Sequence, residues 1–181
     1  NTPEKFISNE YFLTKQQEEF KQTIFSFMRQ STARHYKITG LAGTGKTLLL
    51  YDIAKECSKL DYCCVIHCGS LSDGHNFLNS HLRNVEIISA KTAQSNFDFS
   101  GFKYIFVDEA HRLRKAAYAA IVAAISGSDK FCFWSLDANQ TLSKAEQRRD
   151  ISGQIDQLAP LKSFQLTKKI RTNQEMANFI Q

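Results

Sequence analysis

Short runs of apolar residues alternate along the chain with longer segments in which apolar residues recur at helical spacing. The short runs have the length of strands, which is typical of strands buried in a parallel sheet. They cover residues 35–39, 62–68, 85–88, 104–107, 131–136 and 163–166. The helical patterns cover residues 14–29, 48–57, 72–83, 114–125 and 173–180. This alternation predicts an α/β fold, a parallel β-sheet with helices on both faces.

The first helical pattern begins with a capping signal. Thr14 is followed three residues later by Gln17, which is the spacing of a capping box. Phe20, Ile24 and Phe27 then continue the apolar face of the helix. Residues 1–13 form a polar lead with a few apolar anchors, and residues 139–156 are polar and charged. We assign no element to either segment.

The composition fits one globular domain that is long enough to bury a sizeable core. Of the 181 residues, 43% are hydrophobic and 23% are charged. No apolar run approaches the length of a membrane span and no signal peptide opens the chain, so we expect no membrane partner. The first residue is Asn1 rather than Met, which suggests a fragment. The net charge of +5 is compatible with a nucleic-acid partner but is weak evidence for one.

The cysteines raise the question of a metal site. The chain has five, at Cys57, Cys63, Cys64, Cys68 and Cys132. Three of them share one apolar run with His67, a grouping that invites a zinc site. Because alternate residues of a strand point to opposite faces, these side chains cannot all converge on one ion. We therefore favour reduced thiols buried on a central strand, which predicts a cytoplasmic protein.

The segment between the first strand and the next helix carries a phosphate-binding pattern. It reads Gly40-Leu41-Ala42-Gly43-Thr44-Gly45-Lys46-Thr47, with two glycines five apart followed by Lys and Thr. Glycines let the backbone curl around a phosphate, and the positive end of the following helix adds to the attraction. Lys46 is expected to reach the β- and γ-phosphates of ATP, and the Thr47 hydroxyl to ligate Mg²⁺. The alternative is a glycine-rich turn without a ligand.

An acidic pair follows the apolar run 104–107. Ligands of open parallel sheets bind beyond the carboxyl ends of the strands, where both the loop and this pair emerge. Asp108 is predicted to hold Mg²⁺, and Glu109 to orient and deprotonate the attacking water. The alternative is a helix start enriched in acidic residues by the helix dipole. The phosphate loop upstream favours the catalytic interpretation.

The loop together with Asp108-Glu109-Ala110-His111 resembles the first RecA-like domain of superfamily 1 helicases. That resemblance implies a RecA-like P-loop NTPase fold. Residues 13–17 are similar to the Q motif of that family, which implies that Gln17 reads the adenine edge. Residues 136–140 resemble motif III, which implies that Gln140 senses the γ-phosphate. Residues 166–172 resemble motif IV, which implies that Arg171 contacts the γ-phosphate.

The predicted site residues fall into three groups. The catalytic residues are Lys46, Glu109, Gln140 and Arg171. The nucleotide-binding residues are Gln17, Gly40, Ala42, Gly43, Thr44, Gly45, Lys46 and Thr47, and the Mg²⁺ ligands are Thr47 and Asp108. Two assignments keep an alternative, because Gln17 also fits a helix cap and Arg171 a solvated charge. For His111 we keep two interpretations, a link between the ATP state and motif III and a structural histidine at a helix start.

The resemblance has two departures. Motif III usually begins with Gly-Asp, whereas this chain has Leu136-Asp137, and the Asp-Glu-Ala-His tetrad is better known from superfamily 2. The positions of Gln140 and Arg171 favour superfamily 1. Within it, residues 107–113 look most like the Schlafen-like ATPase/helicase group.

We expect residues 1–181 to form a single RecA-like ATPase domain. It comprises a lead and Q-motif helix at 1–30 and a P-loop core at 31–181. Nothing after Gln181 supplies the later helicase motifs, so we expect a second RecA-like domain to be missing from this fragment.

The functional hypotheses follow from the resemblance, which places a single strand of DNA or RNA near residues 70–75 and 89–94. Basic residues for that surface are Arg112, Arg114, Lys115, Arg148 and Arg149, which a solvated charged face explains equally well. The first hypothesis is a helicase-like ATPase that moves on or remodels nucleic acid. The second is a nucleotide-gated switch without translocation. A small-molecule kinase is disfavoured, because it needs neither a water-activating Glu109 nor a Gln140 sensor.

Overall fold

The computed structural model describes residues 2–94, 96–137 and 150–167. Its helices are α1 Pro3–Ile7, α2 Lys15–Gln30, α3 Lys46–Cys57, α4 Asp73–His81, α5 Lys115–Ile125 and α6 Ile151–Asp156, with a 3₁₀ turn at Ala110–Arg112. Its strands are β1 His35–Gly40, β2 Cys63–His67, β3 Val85–Ser89, β4 Tyr104–Asp108, β5 Phe131–Asp137 and β6 Leu161–Leu166.

All six strands join one parallel sheet in the order β3-β2-β4-β5-β1-β6. This confirms the predicted α/β class. The register aligns the strand ends, because Gly40 pairs with Asp137 and with Leu166, and His67 pairs with Asp108. The carboxyl ends of five strands therefore meet along one edge, where the phosphate loop and the acidic pair emerge together.

Two apolar clusters cover the two faces of the sheet. The first packs α1 to α4 against one face, and the second packs α5, α6 and the 3₁₀ turn against the other. Neighbouring strand residues divide between them, with Phe133 in the first cluster and Trp134 in the second. Cys63 and Cys64 divide in the same way, as the strand alternation predicts. The described residues contain no group of three or more His, Cys, Asp or Glu suited to a metal ion.

Two short helices lie where the sequence pattern predicts no element. Helix α1 has Thr2 as its N-cap and Pro3 in its first turn, and it buries Phe6 stacked on Tyr11 at 4.9 Å between ring centroids. Helix α6 buries Ile151 and Ile155 in the second cluster. Helices this short gain their stability from tertiary packing, which local periodicity does not reveal. The predicted helix at 173–180 lies outside the described residues.

The longer elements begin and end close to the predicted residues. Helix α2 starts after Thr14 with a complete capping box to Gln17, as the spacing predicts. The predicted helix at 72–83 is shorter, since α4 spans Asp73–His81 with Ser72 as its N-cap. Within the described part of the chain, no helix has the length and apolar character of a membrane span.

Candidate nucleotide site

The phosphate loop joins the end of β1 to the start of α3. Gly43 and Gly45 have φ angles of 78° and 77°, the left-handed region that glycine enters without a steric penalty. A Cβ on Gly40 would lie 2.5 Å from the Thr44 hydroxyl oxygen and 3.0 Å from the Leu166 carbonyl oxygen. The predicted glycines therefore sit where the backbone turns sharply or packs closely. Ala42 and Gly43 are exposed at the tip of the loop, and Thr44 is buried.

Lys46 curls back over this loop. Its ammonium donates hydrogen bonds to the carbonyl oxygens of Gly40 at 2.9 Å and Leu41 at 3.0 Å. It also forms an ion pair with Asp137 at 3.7 Å. Burial lowers the pKa of Lys46, while the charges of Asp137, Asp108 and Glu109 oppose that shift. The loop therefore contains a partly buried cation that is paired with Asp137 and lies within the electrostatic reach of Asp108 and Glu109.

The two predicted Mg²⁺ ligands are in direct contact. The Thr47 hydroxyl donates to the Asp108 carboxylate, with oxygen–oxygen distances of 3.0 and 3.2 Å. Asp108 is buried at the end of β4. Mg²⁺ prefers oxygen ligands such as these and keeps several waters, so a hydroxyl beside a carboxylate fits that ion.

Glu109 adopts an unusual backbone conformation directly after Asp108. Its φ of 51° and ψ of 44° are left-handed, which is uncommon for residues other than glycine and clusters at functional sites. Its carboxylate accepts a hydrogen bond from the Arg112 guanidinium at 2.6 Å. The predicted water-activating group is therefore engaged with an arginine one turn further along the chain.

Gln17 caps its helix and contacts the phosphate loop. Its side-chain oxygen accepts a hydrogen bond from the Thr14 backbone at 2.8 Å. Its amide nitrogen donates to the carbonyl oxygens of Thr44 at 3.3 Å and Gly45 at 3.1 Å. The side chain is fully buried. The cap is thus present, and the adenine-reading role of Gln17 stays a prediction.

Gln16 links α2 to the segment after β6, a contact that the sequence analysis did not predict. Its amide nitrogen lies 3.2 Å from the Thr167 hydroxyl oxygen, and its side-chain oxygen accepts from the Thr167 backbone at 3.1 Å. It therefore joins the start of α2 to the end of β6. Both Gln140 and Arg171, predicted to act at the γ-phosphate, lie outside the described residues.

A group of polar side chains behind Asp108 was also missed. The His67 ring nitrogen Nδ1 lies 3.8 Å from the Asp108 carboxylate, and the His67 and His75 ring centroids are 4.3 Å apart. Burial lowers the pKa of His75 to about 4, with the charge of His67 acting in the same direction. His67 could have been found from its position at the end of β2. Neighbouring parallel strands end at the same edge of the sheet, and His67 pairs with Asp108 at the end of β4.

A cavity of about 530 Å³ lies beside this site. Its walls come from the ends of β2 and β3 and from the segment after β4, and they include Ser70, Ser89, Lys91, Gln94, Arg112 and Arg114. Three of these residues are cationic, and none of the described residues that line the cavity is Asp or Glu. Ser70 and Leu71 thus meet Ser89, Lys91 and Gln94, which are distant in sequence, at one basic cavity.

Residues 36–153 match the sequence model of a protein family, the ATPase family associated with various cellular activities (AAA). The chain belongs to this family. The match begins in β1 and includes the phosphate loop and the acidic pair. A comparison with curated proteins gives no match.

Solved structures with the same fold include helicases. The Pif1 helicase of Bacteroides, in complex with ADP-AlF3 and ssDNA, matches 93% of this AAA chain at a TM-score of 0.55 and 17% identity. The Pif1 helicase of Candida albicans matches 93% at 0.60 and 13% identity. The Hef helicase domain of Pyrococcus furiosus matches 81% at 0.53 and 14% identity. The fold is thus the RecA-like ATPase domain found in these helicases. The chain spans 45%, 43% and 37% of their respective lengths.

Proposed function

We propose that this AAA chain is the ATP-binding and ATP-hydrolysing domain of a superfamily 1 helicase-like protein that translocates on or remodels single-stranded DNA or RNA. The observation that carries the proposal is the meeting of Lys46, Thr47, Asp108 and Glu109 at one edge of the sheet, beside a basic cavity. Arginine and lysine side chains are the usual partners of nucleic-acid phosphates.

Each residue has a distinct part in the proposed reaction. Lys46 binds the β- and γ-phosphates of ATP, and Thr47 and Asp108 hold the Mg²⁺ that neutralises their charge. Glu109 takes the proton of a water whose oxygen attacks the γ-phosphorus, and ADP leaves as the bond to the bridging oxygen breaks. Gln140 and Arg171 are proposed to contact the γ-phosphate on the strength of the resemblance alone.

Three further features of the proposal rest on the sequence. The stretch 107–113 supports membership of the Schlafen-like group, and the helicase resemblance supports a second RecA-like domain elsewhere in the protein. The cysteines support a cytoplasmic location, since four of the five are buried as thiols.

A nucleotide-gated switch without translocation is the second candidate. The contact between Glu109 and Arg112 favours it, because a base that is engaged by an arginine suits an ATPase that binds ATP and hydrolyses it slowly. Such a protein would respond to ATP binding itself rather than to repeated turnover.

Phosphate release by the full-length protein distinguishes the two candidates. We expect Mg²⁺-dependent turnover that single-stranded oligodeoxythymidine or oligouridine stimulates. Glu109→Gln should keep ATP binding and lower turnover by about a hundred- to ten-thousand-fold, because the amide cannot take a proton. Turnover that neither strand changes would favour the switch, and full turnover by Glu109→Gln would show that another residue is the base.

A further inference from the structure

We propose that His67 is a positioning residue for the Asp108 carboxylate: its Nδ1–H donates a hydrogen bond to Asp108 when Thr47 and Asp108 bind Mg²⁺. This inference rests on the proposed function and adds a residue that fixes the orientation of one of its two metal ligands. His67 acts through Asp108 and not on the nucleotide itself.

The His67 ring lies beside Asp108 at the carboxyl edge of the sheet. The two residues are register partners at the ends of β2 and β4, so their side chains point to the same face. The Nδ1 atom of His67 is 3.8 Å from the Asp108 oxygen Oδ2, about 0.9 Å longer than an ordinary N–H···O hydrogen bond. That nitrogen is buried and has no hydrogen-bond partner among the described residues. A small movement of the carboxylate towards the ring therefore satisfies a polar atom that is otherwise unpaired.

Neighbouring residues restrict the rotation of this ring. The His75 ring packs against it, with 4.3 Å between ring centroids and 41° between ring planes. His75 is itself held by the Ser72 backbone N–H, which donates to its Nδ1 at 3.0 Å. At the other end of the His67 ring is Gly69, where even a Cβ would lie 2.9 Å from the His67 atom Nε2. The ring therefore keeps Nε2 towards Gly69 and Nδ1 towards Asp108.

The Asp108 carboxylate has one hydrogen-bond donor in the described part of the chain, the Thr47 hydroxyl. This hydroxyl oxygen lies 3.0 Å from Oδ2 and 3.2 Å from Oδ1. A hydroxyl carries a single proton, so it satisfies one carboxylate oxygen at a time. Thr47 alone therefore leaves the plane of the carboxylate free to turn. A second hydrogen bond, from His67 to Oδ2, fixes that plane.

A carboxylate with a fixed plane binds the ion more tightly. Mg²⁺ demands near-ideal octahedral geometry, so the direction of each ligand oxygen matters. Groups that hydrogen-bond to metal ligands typically contribute about ten- to a hundred-fold to metal affinity. The Asp108 side chain is only 3% exposed, so water has little access to supply the hydrogen bond in place of His67.

The gain in nucleotide affinity that Mg²⁺ provides measures this contribution in the full-length protein. The probe is fluorescent N-methylanthraniloyl AMPPNP, which is not hydrolysed, titrated in Mg²⁺ and in EDTA at one pH. His67→Leu should bind the probe as the wild type does in EDTA and should lose most of the gain in Mg²⁺, by about ten- to a hundred-fold. His67→Asn should restore most of it, because its amide N–H takes the place of Nδ1–H.

Leu78→Ala is the control for a general loss of packing. Leu78 is fully buried on α4, in the cluster that covers the same face of the sheet, and its side chain has no polar atom. The variant should lower the free energy of unfolding and keep the wild-type gain in Mg²⁺.

The position of the imidazole proton gives an independent measurement on the unaltered protein. With ¹⁵N-labelled histidine, AMPPNP and Mg²⁺ at about pH 8, the ¹⁵N chemical shifts should show a proton on Nδ1 of His67. His67→Asn identifies the signal by removing it. A ring that carries its proton on Nε2 alone cannot donate to Asp108 and would overturn the inference.

The outcomes separate this inference from the proposed function. A folded His67→Leu protein with the wild-type gain, or a His67→Asn protein that restores none of it, would overturn the positioning role and leave the ATPase proposal standing. An equal loss of the gain in Leu78→Ala would do the same, since packing alone would then explain it. A wild type in which Mg²⁺ gives no gain would overturn the proposed Mg²⁺-dependent function and this inference together.

Discussion

The Lys46 side chain is already fixed over the phosphate loop by contacts with its neighbours. Its ammonium donates to the carbonyls of Gly40 and Leu41 and pairs with Asp137, so these three neighbours stabilise the partly buried cation and fix its position. An arriving triphosphate offers stronger, charged acceptors in the same place.

Removing this cation should weaken ATP binding. Lys46→Ala deletes hydrogen bonds to charged acceptors worth about 1.5–3 kcal/mol, which corresponds to a loss of affinity of roughly ten- to a hundred-fold or more. Isothermal titration with ATP and Mg²⁺ measures the change. Lys59→Ala is the control, because Lys59 follows the C-terminal end of α3, opposite the loop at its N-terminal end, and is paired with Glu56. A folded Lys46→Ala protein with unchanged affinity would contradict the assignment.

For single residues, sequence spacing predicts contacts that the backbone determines better than contacts that depend on side-chain rotamers. The loop pattern specifies Gly40, Gly45 and Lys46, so these residues could be assigned in advance. The pairing of Glu109 with Arg112 depends on which rotamers two partly exposed side chains adopt, and no periodicity encodes that choice. Gln17 illustrates both, since its cap was predicted by spacing and its bonds to the loop were not.

Two helices begin with reciprocal caps that face functional residues. Helix α2 uses Thr14 and Gln17, and helix α4 uses Ser72 and His75. In the second box, the His75 ring nitrogen Nδ1 accepts the Ser72 backbone N–H at 3.0 Å. A histidine in this position is unusual, because glutamate and glutamine are the common residues there. We therefore expect the start of α4 to be sensitive to pH.

We expect acid to destabilise the protein through His75. Its pKa is about 4 in the folded protein and near 6.5 when unperturbed, so the unfolded chain takes up a proton first. The contribution of neutral His75 to the free energy of unfolding is complete above pH 6.5. It is lost as the pH falls towards 4, by about 1 kcal/mol per pH unit. The neighbouring charges are His67, which opposes protonation of His75, and Asp108, which favours it.

Urea unfolding at about pH 7 and about pH 5 measures this effect. His75→Gln is the matched variant, because glutamine keeps the capping acceptor and does not titrate in this range. Its free energy of unfolding should fall less between the two pH values than that of the wild type. Equal losses in both proteins would assign the acid sensitivity to other groups.

The elements that escaped prediction share one property. Helices α1 and α6 are short and are defined by what they bury, Phe6 in one case and Ile151 with Ile155 in the other. Part of what covers them is distant in the chain, such as Tyr51 at 6.5 Å between ring centroids from Phe6, and a local pattern cannot include such contacts. The long amphipathic helices and the apolar strands needed no such information.

At the scale of the whole molecule, the described residues form one sheet that carries two apolar clusters. Strand β5 contributes Phe133 to one cluster and Trp134 to the other, so the clusters share a backbone. Alternating elements predicted this layered arrangement, whereas the strand order depends on which crossovers bury the most surface. Because the sheet joins both faces, we expect the described domain to unfold as a unit.

A substitution that leaves a void in the first cluster should therefore also destabilise the second cluster. Leu49 is buried in the first cluster, and Leu49→Ala should lower the free energy of unfolding by about 2–5 kcal/mol. The single tryptophan, Trp134, lies in the second cluster and reports that face by fluorescence. Fluorescence and far-ultraviolet circular dichroism should shift together.

Leu60→Ala is the control for this experiment, because it makes the same deletion at a side chain that is 70% exposed. It should leave the unfolding midpoint nearly unchanged. If Leu49→Ala shifted the circular dichroism transition and left the Trp134 transition in place, the two faces would be separate folding units.

The uneven burial of the cysteines has a practical consequence. Burial raises the pKa of the thiols of Cys57, Cys63, Cys64 and Cys132, whereas Cys68 is partly exposed on the wall of the basic cavity. Thiolates are the reactive form, so a maleimide dye should attach to native protein at Cys68 and to all five cysteines only in denaturant. Peptide mass mapping checks this, and labelling of a buried thiol under native conditions would contradict it. The wild-type sequence thus supplies its own attachment point for a fluorescent reporter of cavity occupancy.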